Sequence, residues 1–567
     1  MAKKRMREAE VAGMNSKTGT FVGVLVGTFL ISAYAGTAEK DVSDQGAQHK
    51  ANVRSDETLA PYNEIARIIE VSPGSVEGYV ARAEVNLREG DPDRALADLS
   101  KAVRLNPKDA NAHFWRGYIY LRKGSFDQAI AAFTLAIESK PKYPEAFFSR
   151  GNAYYSQGSL DKTLSDYTQA VKLNPRYADV YNNRGAIYYS QRRYEPAIAD
   201  YTRLIALNPK YAEAYFSRGN VYYSHGDLDQ AISDYTQAIS LNPKHAEAYN
   251  NRGVTYSSQH KYDQALVEFD KAIALNPKYV DAYFSRGVAY YSKGNSDQAI
   301  SDYSQAIVLN PQHAEAHFNR GNAYYSKGNS NQAMLDYARA IALNPKYAEA
   351  YFGRGNAYYF QRNYDQALSD YTQAIKLNPN YAEAYSNRGV ICSFQHQYGQ
   401  ALSDFDKALA SNPKYAEAYF NRGIAYYSQG NSEQALSDYT RAIELNPQYA
   451  VAFNNRGDIY YAQHNYDQAL LDYARAIELN PKYAEAHFRR GNTYYSKGNP
   501  DQAISDYTRA LTLNPKYAEA YNNRSVGYCL KREYSKAWGD VHQAESLGYK
   551  VVPDFLEKLR KESGRDK

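Results

Sequence analysis

The sequence predicts an all-α protein, a solenoid of 14 tandem 34-residue helix-turn-helix repeats with capping helices. Three observations carry this. Prolines stand 34 residues apart in unbroken register from Pro73 through Pro277 to Pro515, and a fixed period of this size marks a stack of small supersecondary units. Within each unit, apolar and small residues recur three, four or seven apart, the period of one helical face. Each unit is also punctuated twice, by a break near its middle and by a proline near its end.

The unit Ala416 to Tyr449 shows how each element arises, with position 1 set at Ala416. Tyr419, Gly423, Tyr426 and Tyr427 form the stripe of a first helix, and Ala435, Tyr439, Ala442 and Ile443 that of a second. Gly430, at position 15, can take a positive φ at the end of the first helix, and Asn431 or Ser432 can cap the second. Asn446 and Pro447 close the unit, because proline disfavours helical geometry in the residue before it and cannot continue the ladder.

With large rings at positions 4, 11 and 24 and small residues at 8, 20 and 27 (Tyr419, Tyr426, Tyr439, Gly423, Ala435 and Ala442) and Pro447 at 32, the unit resembles the tetratricopeptide repeat (TPR). Position 8 is Gly in 12 of 14 repeats, which lets the two helices approach closely while rings fill the space between them. The resemblance implies a right-handed superhelix whose first-helix positions 2, 5, 9, 12 and 13 face a concave groove, with position 6 beside them. It also implies a protein-binding scaffold.

Along the chain, Lys3, Lys4, Arg5 and Arg7 precede the uncharged stretch Thr18 to Ala38. Residues 1–38 therefore read as an export signal or a membrane anchor, with a cleavage motif ending at Ala35. Either way the positive flank stays cytoplasmic and the repeats lie outside, in the periplasm or another extracytoplasmic space. A cytosolic protein with a misplaced start stays open. Residues 39–75 read as a linker and an N-terminal capping half-repeat with Ile65, Ile68 and Ile69 on one face. The array covers residues 76–551, and residues 552–567 a C-terminal capping helix and tail. The net charge of +5 over 567 residues is too dilute to argue for nucleic acid. Cys392 and Cys529 lie four repeats apart, beyond disulfide reach in an extended array.

Two sets of residues carry chemistry. Position 7 is Arg in all 14 repeats and position 23 is acidic in 13, with Ala132 the exception. Pairs such as Arg218 with Asp234, Arg286 with Asp302 and Arg422 with Asp438 are expected to form structural ion pairs across the hairpin. The second set is the candidate ligand groove. It comprises Phe148, Phe216, Phe318, Phe352, Phe420 and Phe488 at position 5, and Tyr155, Tyr189, Tyr223, Tyr325, Tyr359, Tyr427 and Tyr495 at position 12. Between them stand Asn183 and Asn421 at position 6 and Asn152, Asn220, Asn322, Asn356 and Asn492 at position 9. A primary amide both donates and accepts, which suits an extended peptide backbone of any sequence. The asparagines resemble the lining of the repeat groove in O-linked N-acetylglucosamine transferases.

Repeats alternate between Phe at 5 with Gly at 15 and Asn or Ser at 5 with Arg or His at 15, as in Phe216 with Gly226 and Asn250 with His260, and the pattern slips between Val280 and Asn380, where three Phe repeats follow one another. The carboxylate clamp known in the family needs Lys at position 5, which no repeat has. Histidines are scattered, so no metal site or cofactor is expected, and no compact nucleophile arrangement suggests an enzyme. The expected function is a non-catalytic scaffold binding an extended polypeptide. The alternative is an exported scaffold handling polysaccharide, since rows of rings also stack on sugars. A membrane is a partner only if the N-terminal segment stays uncleaved.

Overall fold

The computed structural model describes residues 68–564, and no strand occurs among them. They fall in two compact units, residues 68–311 and 312–564. The first unit holds seven repeats, from the helix Val76–Arg88 to the helix Ser296–Leu309; the second holds seven more, from Ala314–Ser326 to Tyr534–Ser546, and a final helix Pro553–Ser563. The export or anchor segment, the linker and most of the capping half-repeat lie outside the described residues. Among the described residues no helix is long and apolar enough to cross a membrane.

Each repeat is a first helix (helix A) and a second (helix B), and the turn between them follows from local chemistry. Helix A of Ala416–Ser428 ends at Gly430 with φ 82°. There the Gly430 N–H donates to Tyr427 O at 3.0 Å and the Asn431 N–H to Tyr426 O at 2.9 Å, a Schellman closure that satisfies two orphan carbonyls. Asn431 stands at the N-cap of helix B without a side-chain cap bond, contrary to the capping expected of it, whereas Asp227 and Asn499 at the same position do cap their helices. At the far end, Asn446 Oδ1 accepts from the Gln448 N–H at 3.1 Å across Pro447, and the Tyr449 N–H donates to Asn446 O at 3.1 Å. Asparagine before proline thus supplies the turn that proline alone cannot bond.

Helix packing depends on position 8. A Cβ on Gly423 would stand 2.7 Å from Cε1 of Tyr439, so the position-24 ring occupies the space a side chain would need. Ala435 and Ala442 are fully buried around that ring. The last helix closes the array: Leu559 is fully buried among Cys529, Trp538 and Val541, and Trp538 Nε1 donates to Ser563 Oγ at 3.2 Å.

Candidate ligand groove

The position-7 arginines lie between the helices of their own hairpin. Arg218 Nε and Nη2 donate to the two oxygens of Asp234 at 2.7 and 2.8 Å. Arg286 forks onto Asp302 at 2.8 and 2.7 Å, and Arg422 onto Asp438 at the same distances. Rings lie against these guanidiniums one turn away: Tyr215 and Tyr222 at Arg218, Tyr419 and Tyr426 at Arg422, and Tyr283 at Arg286. The bonds to Asp302 hold the Arg286 pKa above its ordinary value against the opposing effect of burial. The third arm of the fork reaches the preceding repeat: Arg218 Nη1 donates to Thr202 Oγ1 at 2.9 Å, and Arg286 Nη1 to Asp270 Oδ1 at 2.6 Å. This second bond, at position 25, was not foreseen from the sequence, although a Thr or Asp recurs there.

The position-5 phenylalanines are not beside a groove. Phe148, Phe216, Phe318, Phe352, Phe420 and Phe488 are all 7% exposed or less. Each packs between two rings of its own repeat, at positions 24 and 34: Phe352 lies 5.8 Å from Tyr371 and 4.8 Å from Tyr381. The residue that closes one repeat thereby lids the position-5 ring, which leaves it no face for a ligand.

The position-9 asparagines form rungs between repeats. Asn220 Oδ1 accepts from Tyr235 OH at 2.8 Å and from Asn251 Nδ2 of the next repeat at 3.0 Å. Asn356 does the same with Tyr371 and Asn387, at 2.7 and 2.9 Å, and Asn492 with Tyr507 and Asn523, at 2.8 and 2.9 Å. Asn152 takes Tyr167 OH. Asn322 takes Tyr337 OH at 2.8 Å, but the next repeat carries Gly353 at position 6. Asn183 and Asn421 at position 6 are half-buried. The amide oxygens of Asn220, Asn356 and Asn492 are thus consumed within the protein, and Asn356 is itself buried. One rung is charged instead: Asp458 accepts from Tyr473 OH at 2.8 Å, and Arg489 Nε stands 3.5 Å from it while Nη2 pairs with Glu485 at 2.8 Å. A signal for the hydroxyl partner was present, since every repeat with Asn or Asp at position 9 has Tyr at 24.

At position 12, Tyr155 and Tyr495 are 42% and 39% exposed, and Tyr189, Tyr223, Tyr325, Tyr359 and Tyr427 are half-buried. Tyr189 shares a hydrogen bond with Ser224 at 2.9 Å, and Tyr223 with Ser258 at 3.3 Å, each one repeat on. Burial pushes the Tyr325 phenol up to about 12.

The alternation at position 15 has a structural cause. Arg192, His260, Arg362, His396, His464 and Arg532 all take positive φ where other repeats use Gly, and each is followed two residues on by Tyr. His260 Nδ1 meets Tyr262 OH at 2.9 Å and His396 Nδ1 meets Tyr398 OH at 2.8 Å, so a local bond offsets part of the left-handed strain. A histidine also replaces the usual Tyr at position 34: His245, 8% exposed, stands 3.3 Å from Glu213 and 3.1 Å from Glu247. Burial opposes its charge, but the two carboxylates outweigh it and raise its pKa to about 9. Among the described residues no group of three His, Cys, Asp or Glu is placed to hold a metal ion.

A family model described as TPR repeat matches residues 151–361 in overlapping stretches and again 395–430 and 457–498, more than half of the chain. The chain belongs to the tetratricopeptide repeat family. Other tetratricopeptide repeat models match residues 80–144, 348–381, 370–403, 416–449, 438–470 and 484–517. No curated protein matches the sequence. Among solved structures, the chain is similar to YrrB, described as a TPR protein with an unusual peptide-binding site, at 26% identity over 32% of this chain and 95% of that one, with a TM-score of 0.29. It is also similar to a tetratricopeptide repeat protein from Parabacteroides merdae, at 22% identity over 44% and 98%, TM-score 0.37. MamA matches at 27% identity over 29% and 96%, TM-score 0.27.

Proposed function

We propose that this TPR array is a non-catalytic protein-interaction scaffold that binds an extended polypeptide along the row formed by positions 6, 9 and 12 of the first helices. Membership of the family supports the scaffold role. The rungs support the ligand class: with the half-buried Asn220 and Asn492 each accepting two internal bonds, their Nδ2 groups are repeated donors suited to backbone carbonyls. The half-exposed rings of position 12 add contact area at low entropic cost.

Export, by a cleaved signal or with residues 1–38 as an inner-membrane anchor, rests on the basic and apolar pattern of that segment. Sequencing the N-terminus of the protein recovered from fractionated cells tests it; soluble cytosolic protein starting at Met1 would refute it. The polysaccharide reading draws on the exposed rings of Tyr155 and Tyr495.

Full-length protein probed on a peptide array and on a glycan array separates the two readings. Binding to extended peptides that falls in Tyr155→Ala and Tyr495→Ala and is unchanged in Ser301→Ala and Ser369→Ala supports the scaffold. Binding confined to glycans overturns it.

A further inference from the structure

Thirteen of the 14 position-7 arginines meet a carboxylate at position 23 of their own repeat. Arg116 does not, because position 23 there is Ala132, which is itself buried. None of the substitutes seen elsewhere is in place. Position 25 of the preceding repeat is Ser100, whose hydroxyl donates instead to Leu96 O at 2.7 Å. Position 4 is His113, which bonds Pro107 O at 2.9 Å where nine other repeats set a tyrosine ring against the guanidinium. Arg116 is half-buried, and its Nε lies out of solvent with no hydrogen-bond partner. Removing one member of such a pair leaves a charge whose desolvation is uncompensated, and a guanidinium fork is shaped for a carboxylate.

We propose that Arg116 is a binding site for a carboxylate group brought by a ligand. The ligand oxygen atoms accept from the guanidinium as the position-23 carboxylate does in the other repeats. The site is separate from the row of asparagines, and its test does not depend on the groove reading.

The probe is formate, titrated into full-length protein labelled with 15N at arginine and followed through the arginine Nε–H resonances. Arg116→Lys identifies the resonance by its loss. One resonance, that of Arg116, is expected to shift saturably with formate and not with sodium chloride at equal ionic strength. Ala132→Asp restores the carboxylate of the other repeats, so it should fold and should weaken formate binding by at least about tenfold. Inorganic phosphate as a third arm distinguishes a carboxylate site from a general anion site. Absence of a saturable shift at Arg116, an equal response to chloride, tighter binding of phosphate than of formate, or unchanged formate binding in Ala132→Asp would each overturn the proposal.

Discussion

Truncating Asp234 to Ala leaves Arg218 facing a hairpin interior with one neutral bond, to Thr202. The side chains of the pair are only 16% and 6% exposed, and breaking a buried pair from one side costs about 3 to 5 kcal/mol when burial is complete. The solvent reaching the arginine lowers this to about 2 to 3 kcal/mol. The same change at Asp302 is expected to cost about 1 kcal/mol less. Its arginine, Arg286, retains Asp270, a carboxylate 2.6 Å from Nη1 and itself 57% exposed, and exposed pairs contribute no more than that. Replacing Arg218 and Asp234 together by leucines should cost less than Asp234→Ala alone, since no charge is then left unpaired. Repeat arrays unfold by steps rather than all at once, so the assay is hydrogen exchange of the amides of Ala212–His225 and Val280–Ser292, supported by urea melts. Equal losses for Asp234→Ala and Asp302→Ala, or a double leucine variant no better than the single alanine, would refute the account of the third arm.

Gly321→Ala would place a Cβ 2.8 Å from Cε1 of Tyr337 and is expected to cost about 1 to 3 kcal/mol in a melt. Gly430→Ala, strained only by its φ of 82°, should cost about 1 to 2 kcal/mol. His245 has a folded pKa of about 9 against 6.5. The stability it contributes is therefore fully present below pH 6.5 and is lost as pH rises through 9; melts from pH 6 to pH 10 should show this slope, and His245→Tyr should remove it. Asn220→Ala should lower both peptide binding and stability, the latter by about 1 to 3 kcal/mol, because Tyr235 and Asn251 lose their acceptor; a peptide titration and a melt on one preparation check both.

The period, the hairpins and the turns were legible in the sequence because they rest on neighbours in the chain: Gly430 and Asn446 each close a turn within four residues. The charged pairs were legible too, since antiparallel helices of fixed length set Arg286 against Asp302. Position 5 was not, because the fate of Phe352 is decided by Tyr381, 29 residues later, folding back over it. The asparagines were visible as a ladder, but their acceptors are taken by Tyr235, Tyr371 and Tyr507, whose hydroxyls look, in sequence, like those of any core tyrosine. The bond from Arg218 to Thr202 escaped for a further reason: it joins two repeats, and its geometry depends on how one hairpin stacks on the last.

That inter-repeat bond makes the joints unequal in strength. Arg354 and Arg490 follow repeats with alanine at position 25, Ala338 and Ala474, and their forks hold only Asp370 and Asp506. Pulled from its ends, the chain should behave as a tether with graded links, parting first at the joints ahead of Ala348 and Ala484 and at the one ahead of Ala110, where Arg116 has no bond to Ser100; at these no guanidinium stitches a helix pair to the one before it. Extension traces of single molecules would show the yields ahead of Ala348 and Ala484 move to higher force on Ala338→Thr and Ala474→Thr. A protein of this construction could lengthen under load in a set order, with the blocks between its weak joints still folded and still able to hold whatever they carry.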